Sequence, residues 1–247
     1  MSAFRTLITV VTLAFCSILS AQCPPPGTVF TTQQQIDAMA RSFPGCTVLQ
    51  GNLVIQEARP GAIQHLSGLT NLQEVNGNLI VRLNRDLTSL AGLDNLNRIS
   101  GELNIQSNGQ LTSLAGLNRL TYIGSQAMIL SNPSLNSLTG LNSLRTVNGT
   151  FYLKKNPSLE SISALGQLTT INGDLSISEN PSLTSLDGLN QLGSLGTTAP
   201  RAQLELNENP RLSDISSLST LDFTKLTYLQ ITKCPSLRTN GRSSQAN

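Results

Sequence analysis

The sequence is poor in aromatic and charged residues and has no tryptophan. Aromatic residues make up 4% and charged residues 12% of its 247 residues. A core of Leu and Ile without large rings favours thin, stacked layers over a thick globule. The formal net charge is only +2, and no segment concentrates Lys or Arg. Neither nucleic acid nor an anionic membrane is therefore an expected partner.

Residues that commonly carry catalysis or bind metals are also scarce. The single histidine, His65, has no arrangement of Ser or Cys that predicts nucleophilic catalysis, and we interpret it as solvated or hydrogen-bonded. The repeated Asp spacing of Ca²⁺ sites and the Cys/His spacing of Zn²⁺ sites are missing. The sequence predicts no enzyme, no cofactor and no metal.

One long apolar run is present, from Leu7 to Leu19, with Arg5 before it and Ser20 and Ala21 after it. This pattern predicts a signal peptide at residues 1–21. The run is shorter than the roughly 18 apolar residues that a membrane helix needs, and no later segment is predicted to insert into a membrane. We expect a secreted, extracellular protein, with association to a cell surface left open.

Three cysteines follow the signal peptide. Cys23 and Cys46 flank the segment before the first repeat and are the predicted disulfide. Cys234 is left without a partner. We favour a buried thiol at this position, and the alternative is a half-cystine whose partner belongs to a following module.

A repeat of 24 residues dominates the rest of the chain. Its consensus is I-x-G-x-L-x-I-x-x-N-P-x-L-x-S-L-x-G-L-x-x-L-x-x. Two apolar residues spaced two apart predict a short strand, and the later Leu residues at every third position are typical of 3₁₀ turns and extended corners. We interpret the recurring Asn-Gly pairs as corners and not as hairpin turns. Eight strands are predicted: Leu53–Ile55, Leu79–Val81, Leu103–Ile105, Ala127–Ile129, Phe151–Leu153, Leu175–Ile177, Leu204–Leu206 and Leu229–Ile231.

Asparagines recur at one position of the repeat, where buried side chains are expected to bond the backbone of the next repeat. This predicted structural ladder comprises Asn84, Asn108, Asn132, Asn156, Asn180 and Asn209. Cys234 occupies the next position of the ladder. Insertions interrupt the register within Glu57–Gln64 and near Gly193–Ala202, and insertions of this kind go to loops.

The segments C-P-P-P-G-T from Cys23 and F-P-G-C-T-V-L-Q-G-N-L-V-I from Phe43 to Ile55 resemble the start of a receptor L domain, as in the epidermal growth factor and insulin receptors. The resemblance implies a mainly β, right-handed solenoid of about eight rungs. It also implies an amino-terminal Cys23–Cys46 disulfide and a short capping helix within Thr31–Ser42. The resulting domain division is a cap at residues 22–50, a solenoid at 51–237 and a disordered tail at 238–247.

The strand residues that point outward suggest a binding surface. Met128, Leu130 and Tyr152, with Lys154 beside them, form an apolar cluster on neighbouring predicted strands, the best candidate ligand-binding site. We expect a non-catalytic domain that recognises an extracellular protein or glycan. The alternative is a structural or adhesive protein of a cell wall or matrix. The last strand has no evident cap, which leaves two expectations open: that the chain is a fragment, or that it associates end to end with a second copy.

Two further candidate sites, a carboxylate pair and a glycosylation sequon, each depend on a single motif. Asp174 and Glu205, on adjacent predicted strands, are the one carboxylate pair spaced for glycoside hydrolysis, whereas Glu102 lies too far from Asp174. A polysaccharide-active enzyme is therefore the least favoured function. Asn148-Gly149-Thr150 is a sequon for N-glycosylation, although the Asn-Gly corner of the repeat also generates it.

Overall fold

The computed structural model describes residues 23–196 and 202–237. The predicted signal peptide, the predicted tail at 238–247 and the middle of the insertion near Gly193–Ala202 lie outside the described residues. The described part is mainly β, with one α-helix. Strands β1 to β16 are, in chain order, Thr28–Phe30, Val48–Gln50, Leu53–Ile55, Glu74–Asn76, Leu79–Arg82, Arg98–Ile99, Leu103–Gln106, Tyr122–Ile123, Ala127–Leu130, Thr146–Val147, Phe151–Lys154, Thr170–Ile171, Leu175–Ser178, Ser194–Leu195, Ala202–Asn207 and Leu226–Thr232. Helix α1 is Gln33–Ser42, and 3₁₀ helices lie at Ser67–Leu69, Ser163–Leu165, Ser216–Thr220 and Phe223–Lys225.

The strands form two parallel sheets. The first sheet has nine strands, in the order β1-β3-β5-β7-β9-β11-β13-β15-β16, and the second has seven, in the order β14-β12-β10-β8-β6-β4-β2. From β2 to β15, successive strands of the chain belong alternately to the two sheets, so one repeat contributes one strand to each. The Asn76-Gly77 corner connects β4 to β5, strands of different sheets, so the rejection of hairpins is confirmed.

The core lies between the two sheets and is built from the Leu and Ile positions of the repeat. In the repeat that includes β7 and β8, the residues at every third position are fully buried, namely Leu111, Leu114, Leu117, Leu120 and Ile123. The same columns are buried in the neighbouring repeats. Because one repeat is too thin to enclose these side chains, each repeat depends on its neighbours for stability.

All eight predicted strands are present in the first sheet, but that sheet has a ninth strand. The additional strand is β1, which lies in the predicted cap and pairs with β3. The second sheet was not predicted. Most of its strands have two residues and bury a single one, such as Ile99 or Ile123, so they produce no period-2 pattern in the sequence.

The predicted helix and the predicted disulfide are both present at the amino-terminal end. The Thr32 side chain accepts a hydrogen bond from the Gln35 amide, and the Gln35 side chain accepts from the Thr32 amide, which forms a capping box at the start of α1. Ile36 and Met39 of α1 are buried in the core. The Cys23–Cys46 disulfide is present, with the two Cα atoms 4.9 Å apart.

The six asparagines of the repeat form a column whose side chains bond the backbone of adjacent repeats. All six side chains are fully buried. Asn132 is typical: its Nδ2 donates to the Ile105 carbonyl at 3.0 Å, and its Oδ1 accepts from the Asn108 amide at 3.1 Å. The ladder starts where the Glu57 amide donates to Asn84 Oδ1. Each side chain therefore satisfies backbone groups of adjacent repeats, which the corner itself leaves unpaired.

The carboxyl-terminal end of the first sheet is more open. Leu229 and Ile231 of β16 are 49% and 39% exposed, whereas Leu204 and Leu206, their partners in β15, are fully buried. Cys234 lies at the ladder position with a free thiol, 3.8 Å from the Leu206 carbonyl. The favoured interpretation of Cys234 as buried is wrong, because no later repeat covers it among the described residues and it stays partly exposed.

Candidate binding surface

The outer face of the first sheet carries two columns of side chains. Strand residues alternate between the core and this face, so the second and fourth residues of each central strand point outward. The parallel register aligns these positions across the sheet. The first column runs Ile80, Asn104, Met128, Tyr152, Ser176 and Glu205, and the second runs Arg82, Gln106, Leu130, Lys154, Ser178 and Asn207.

The four predicted binding residues are neighbours in these columns. Met128 lies opposite Tyr152, and Leu130 lies opposite Lys154, on the paired strands β9 and β11. All four are half-buried. Three apolar side chains and Lys154 therefore form one continuous surface on two paired strands. We call these four residues the face cluster.

Lys154 connects the face cluster to a polar group further along the sheet. Its Nζ lies 5.4 Å from the Tyr152 ring centroid and 3.2 Å from Glu205 Oε2 on β15, two strands away. Ser176, on the strand between them, donates a hydrogen bond to the same carboxylate oxygen. Ser176 and Ser178 are buried. Sequence reasoning missed this contact, because it joins the side chains of two strands that are separated by a third strand.

The electrostatics of Glu205 do not suit a general acid. The Ser176 hydroxyl, followed by the hydrogen bond and charge of Lys154, lowers the pKa of Glu205 from its usual range, and burial opposes the shift. A glycosidase acid requires the opposite shift. Asp174 Oδ1 accepts a hydrogen bond from the Gln203 amide at 2.9 Å, which gives this carboxylate a structural role.

Asn104, next to Met128 in the first column, has an unusual environment. Its Oδ1 is buried and is the only side-chain N or O atom that is both buried and without a hydrogen-bond partner in the described part of the chain. An unsatisfied buried acceptor costs about 1–3 kcal/mol. In the sequence, Asn104 differs from its neighbours in the column, Ile80 and Met128, only in being polar. That difference alone does not predict a site.

An open groove of about 740 Å³ follows the carboxyl ends of the same strands. It is lined by Lys155, Pro157, Glu179, Pro181, Glu208, Pro210 and Lys233. Lys155 pairs with Glu179 at 3.8 Å, and Lys233 pairs with Glu208. These four charged residues have left-handed backbone conformations, with φ between 53° and 60°. The groove thus has proline rings along it and no unbalanced charge.

Other polar residues have structural partners. His65 Nδ1 lies 3.1 Å from Gln33 Nε2 and 2.8 Å from Ser67 Oγ, which agrees with the interpretation of His65 as hydrogen-bonded. Within residues 23–196 and 202–237, no group of three or more His, Cys, Asp or Glu side chains is placed to hold a metal ion. None of the helices in this part of the chain has the length and apolarity to cross a bilayer.

The predicted glycosylation site is accessible. Asn148 follows β10 and is exposed. Its Oδ1 accepts a hydrogen bond from Asn172 Nδ2 at 2.6 Å, and its own Nδ2 lies 3.4 Å from the Gly124 carbonyl. The Nδ2 atom that a glycan would modify thus makes only a long hydrogen bond at the surface.

Comparison with known proteins supports the resemblance in the sequence. The family model for the receptor L domain matches residues 45–103 and, in a second overlapping match, residues 88–164. The second match includes the face cluster. No curated protein is significantly similar to the chain.

Proposed function

We propose that this chain, which belongs to the receptor L domain family, is a non-catalytic binding domain that recognises an extracellular protein or glycan through the face cluster. The observation that carries the proposal is the arrangement of Met128, Leu130 and Tyr152. They lie side by side on paired strands, half-exposed, beside a charged residue. Apolar surface rimmed by polar groups is typical of contact sites, and Tyr is enriched among residues that dominate binding energy.

The proposal includes the architecture and location of the protein. Alternating strands, the 24-residue register and the asparagine ladder support a solenoid, and the resemblance to receptor L domains implies that it is right-handed. The Cys23–Cys46 disulfide and the apolar run after Arg5 support secretion through removal of residues 1–21. An experimental structure that showed left-handed coiling would contradict the first statement. A mature amino terminus that retained Leu7–Leu19 would contradict the second.

The experiment is a binding screen of the purified secreted protein against arrays of glycans and of secreted proteins. The test variant is Met128→Asp/Tyr152→Asp, which places two charges in the face cluster. The matched control is Thr146→Asp/Thr170→Asp. These residues also lie opposite each other on paired strands and are half-buried, but they belong to the second sheet.

We expect a saturable partner that the control variant retains and that the test variant binds at least roughly 100-fold more weakly, since buried interface aromatics commonly contribute more than 2 kcal/mol. Thermal unfolding of both variants should match. A partner that binds the test variant normally would exclude the face cluster. If no partner binds at all, the structural or adhesive function is favoured.

A further inference from the structure

The last strand of the first sheet has an irregular pairing near its start, but from Tyr228 to Thr232 it lacks the features that normally protect a sheet edge. Strand β16 is Leu226–Thr232, with the sequence LTYLQIT, and contains no charged residue, proline or glycine. Among the described residues it pairs on one side only, with β15. Natural edge strands are usually short, charged or interrupted by proline, because a free edge is a template for another strand.

The side chains of β16 are also unprotected. Leu229 and Ile231 occupy the core columns, yet both are among the most exposed large apolar residues of the described chain. Tyr228, near the start of the strand, is similarly exposed. Covering the edge with a further strand would therefore remove apolar surface from water in addition to pairing the backbone.

The backbone of β16 presents hydrogen-bonding groups to this edge. In earlier strands, the amides of Leu79, Leu103 and Ala127 donate to the carbonyl of the residue that immediately precedes the next strand in the sheet. Leu229 occupies the same position of the repeat, as the register from β11 through β15 shows. The amide and carbonyl of Leu229, and those of Ile231 two residues later, consequently point away from β15 and towards the free edge.

We propose that two copies of the chain associate through β16 as an antiparallel, two-fold symmetric pair that joins their first sheets. Residues 238–247 contain no Leu, Ile, Val, Phe or Met, so their sequence does not predict an apolar covering strand. Strand β1, at the opposite edge of the first sheet, is poorly suited to pair with β16 of a second copy. Strand β1 has three residues, it follows three consecutive prolines, and α1 buries Ile36 and Met39 in the core at this end.

The self-complementary register is centred on Gln230. It places Leu229 of each copy opposite Ile231 of the other, which gives roughly four backbone hydrogen bonds from these residues alone. A two-fold axis perpendicular to the sheet keeps the core side of both copies on one side, so the four exposed Leu and Ile side chains meet. A register centred on Leu229 would instead place Ile231 opposite Thr227, next to the irregular pairing at Ala202 and Gln203.

Sedimentation of the purified protein tests the association. We expect a concentration-dependent species of twice the monomer mass. The variant Ile231→Lys puts a charge on the core side of the edge and should weaken the dimer at least roughly 100-fold, a shift that sedimentation resolves. The control Gln106→Lys adds the same charge on the outer face of β7, in the sheet centre, and should leave the dimer unchanged. A protein that stays monomeric at about 100 µM, a variant that still dimerises, or open-ended polymers would each overturn the proposal.

Cross-linking tests the register separately. In a Cys234→Ser background, Gln230→Cys should form a disulfide-linked dimer in air, because residues facing each other in a non-hydrogen-bonded antiparallel pair have Cα atoms about 4.5 Å apart. Thr232→Cys in the same background would face Tyr228 of the second copy and should stay monomeric on a non-reducing gel. Equal cross-linking of the two variants, or none with Gln230→Cys, would contradict the register.

Discussion

At single residues, the repeat turns its corners in two ways. Gly92, Gly116, Gly140 and Gly188 share one position, with φ between 114° and 118°. The corresponding residue of the intervening repeat, Ala164, lies instead in the 3₁₀ helix Ser163–Leu165. A side chain is therefore accepted only where the corner changes its backbone conformation. The consensus glycine is needed for both its positive φ and its close approach to the preceding repeat.

We predict that Gly116→Ala destabilises the protein strongly. The added Cβ would lie 2.0 Å from the Leu90 carbonyl oxygen, and φ is +116°. Overpacking and a positive φ together should lower the free energy of unfolding by roughly 2–4 kcal/mol. Denaturant unfolding measures the loss. In Gly166→Ala, the nearest atom to the new Cβ is 3.5 Å away and the backbone is helical, so this control should change stability by less than about 1 kcal/mol.

Glu205 gives a prediction for pH dependence. Its pKa in the folded protein is lowered below the usual value, chiefly by the Ser176 hydroxyl, so ionised Glu205 stabilises the folded state. This stabilisation is fully present at pH values above the usual pKa of a glutamate. It is lost as the pH falls through the lowered pKa of Glu205 in the folded protein. Wild type should therefore exceed Glu205→Gln by up to about 1 kcal/mol at neutral pH, and the difference should vanish in acid.

Denaturant unfolding at about pH 7 and at about pH 3 checks this prediction. The variant Ser176→Ala removes the main cause of the lowered pKa of Glu205. In this background, the effect of Glu205→Gln on the free energy of unfolding should depend less on pH. A difference between wild type and Glu205→Gln that grows as the pH falls would show that the pKa of Glu205 is raised instead.

At the scale of elements, the asparagine ladder fastens one corner of each repeat to the next. We predict that Asn132→Ala costs about 2–5 kcal/mol, because it leaves the Ile105 carbonyl and the Asn108 amide buried without partners. Chemical denaturation should detect this loss, and Ser131→Ala, at the adjacent left-handed position, serves as a control with no ladder contact. If Asn132→Ala lowers the free energy of unfolding no more than Ser131→Ala does, water molecules must satisfy the backbone groups that Asn132 normally binds.

The other end of the ladder offers the reverse change. Cys234 lacks an amide group, so Cys234→Asn supplies an oxygen to accept from the Asn209 amide and a nitrogen to donate to the Leu206 carbonyl. We predict a gain of about 1 kcal/mol in the free energy of unfolding. Cys234→Ser, which is too short to make both bonds, should give no gain. Loss of stability in Cys234→Asn would indicate that the partly exposed corner does not adopt the ladder geometry.

The sequence predicts those elements whose side chains repeat with a regular period. Leu103 and Ile105, two residues apart, indicate β7, and the buried Leu residues at every third position indicate the core columns. The second sheet escapes prediction because a strand such as β8 buries only Ile123. The Lys154–Glu205 contact escapes because it depends on the length of side chains two strands apart, which the repeat does not encode.

For the whole molecule, the two ends of the stack differ in how they close the core. At the amino-terminal end, α1 buries Ile36 and Met39, and the disulfide joins the segments that precede β1 and β2. At the carboxyl-terminal end, Leu229 and Ile231 remain exposed. Since each repeat is stabilised by its neighbours, the loss of one closed end should propagate inward.

We therefore predict that Cys23→Ser/Cys46→Ser lowers the free energy of unfolding by about 3 kcal/mol, the chain-entropy value for a loop of this length. Hydrogen exchange should localise the effect. Amides of β3 and β5, next to the cap, should lose more protection than those of β11 and β13. Cys234→Ser is the control, since it removes a thiol that forms no disulfide. Equal loss of protection along the whole sheet would show that the stack unfolds as one cooperative unit and that the cap does not act locally.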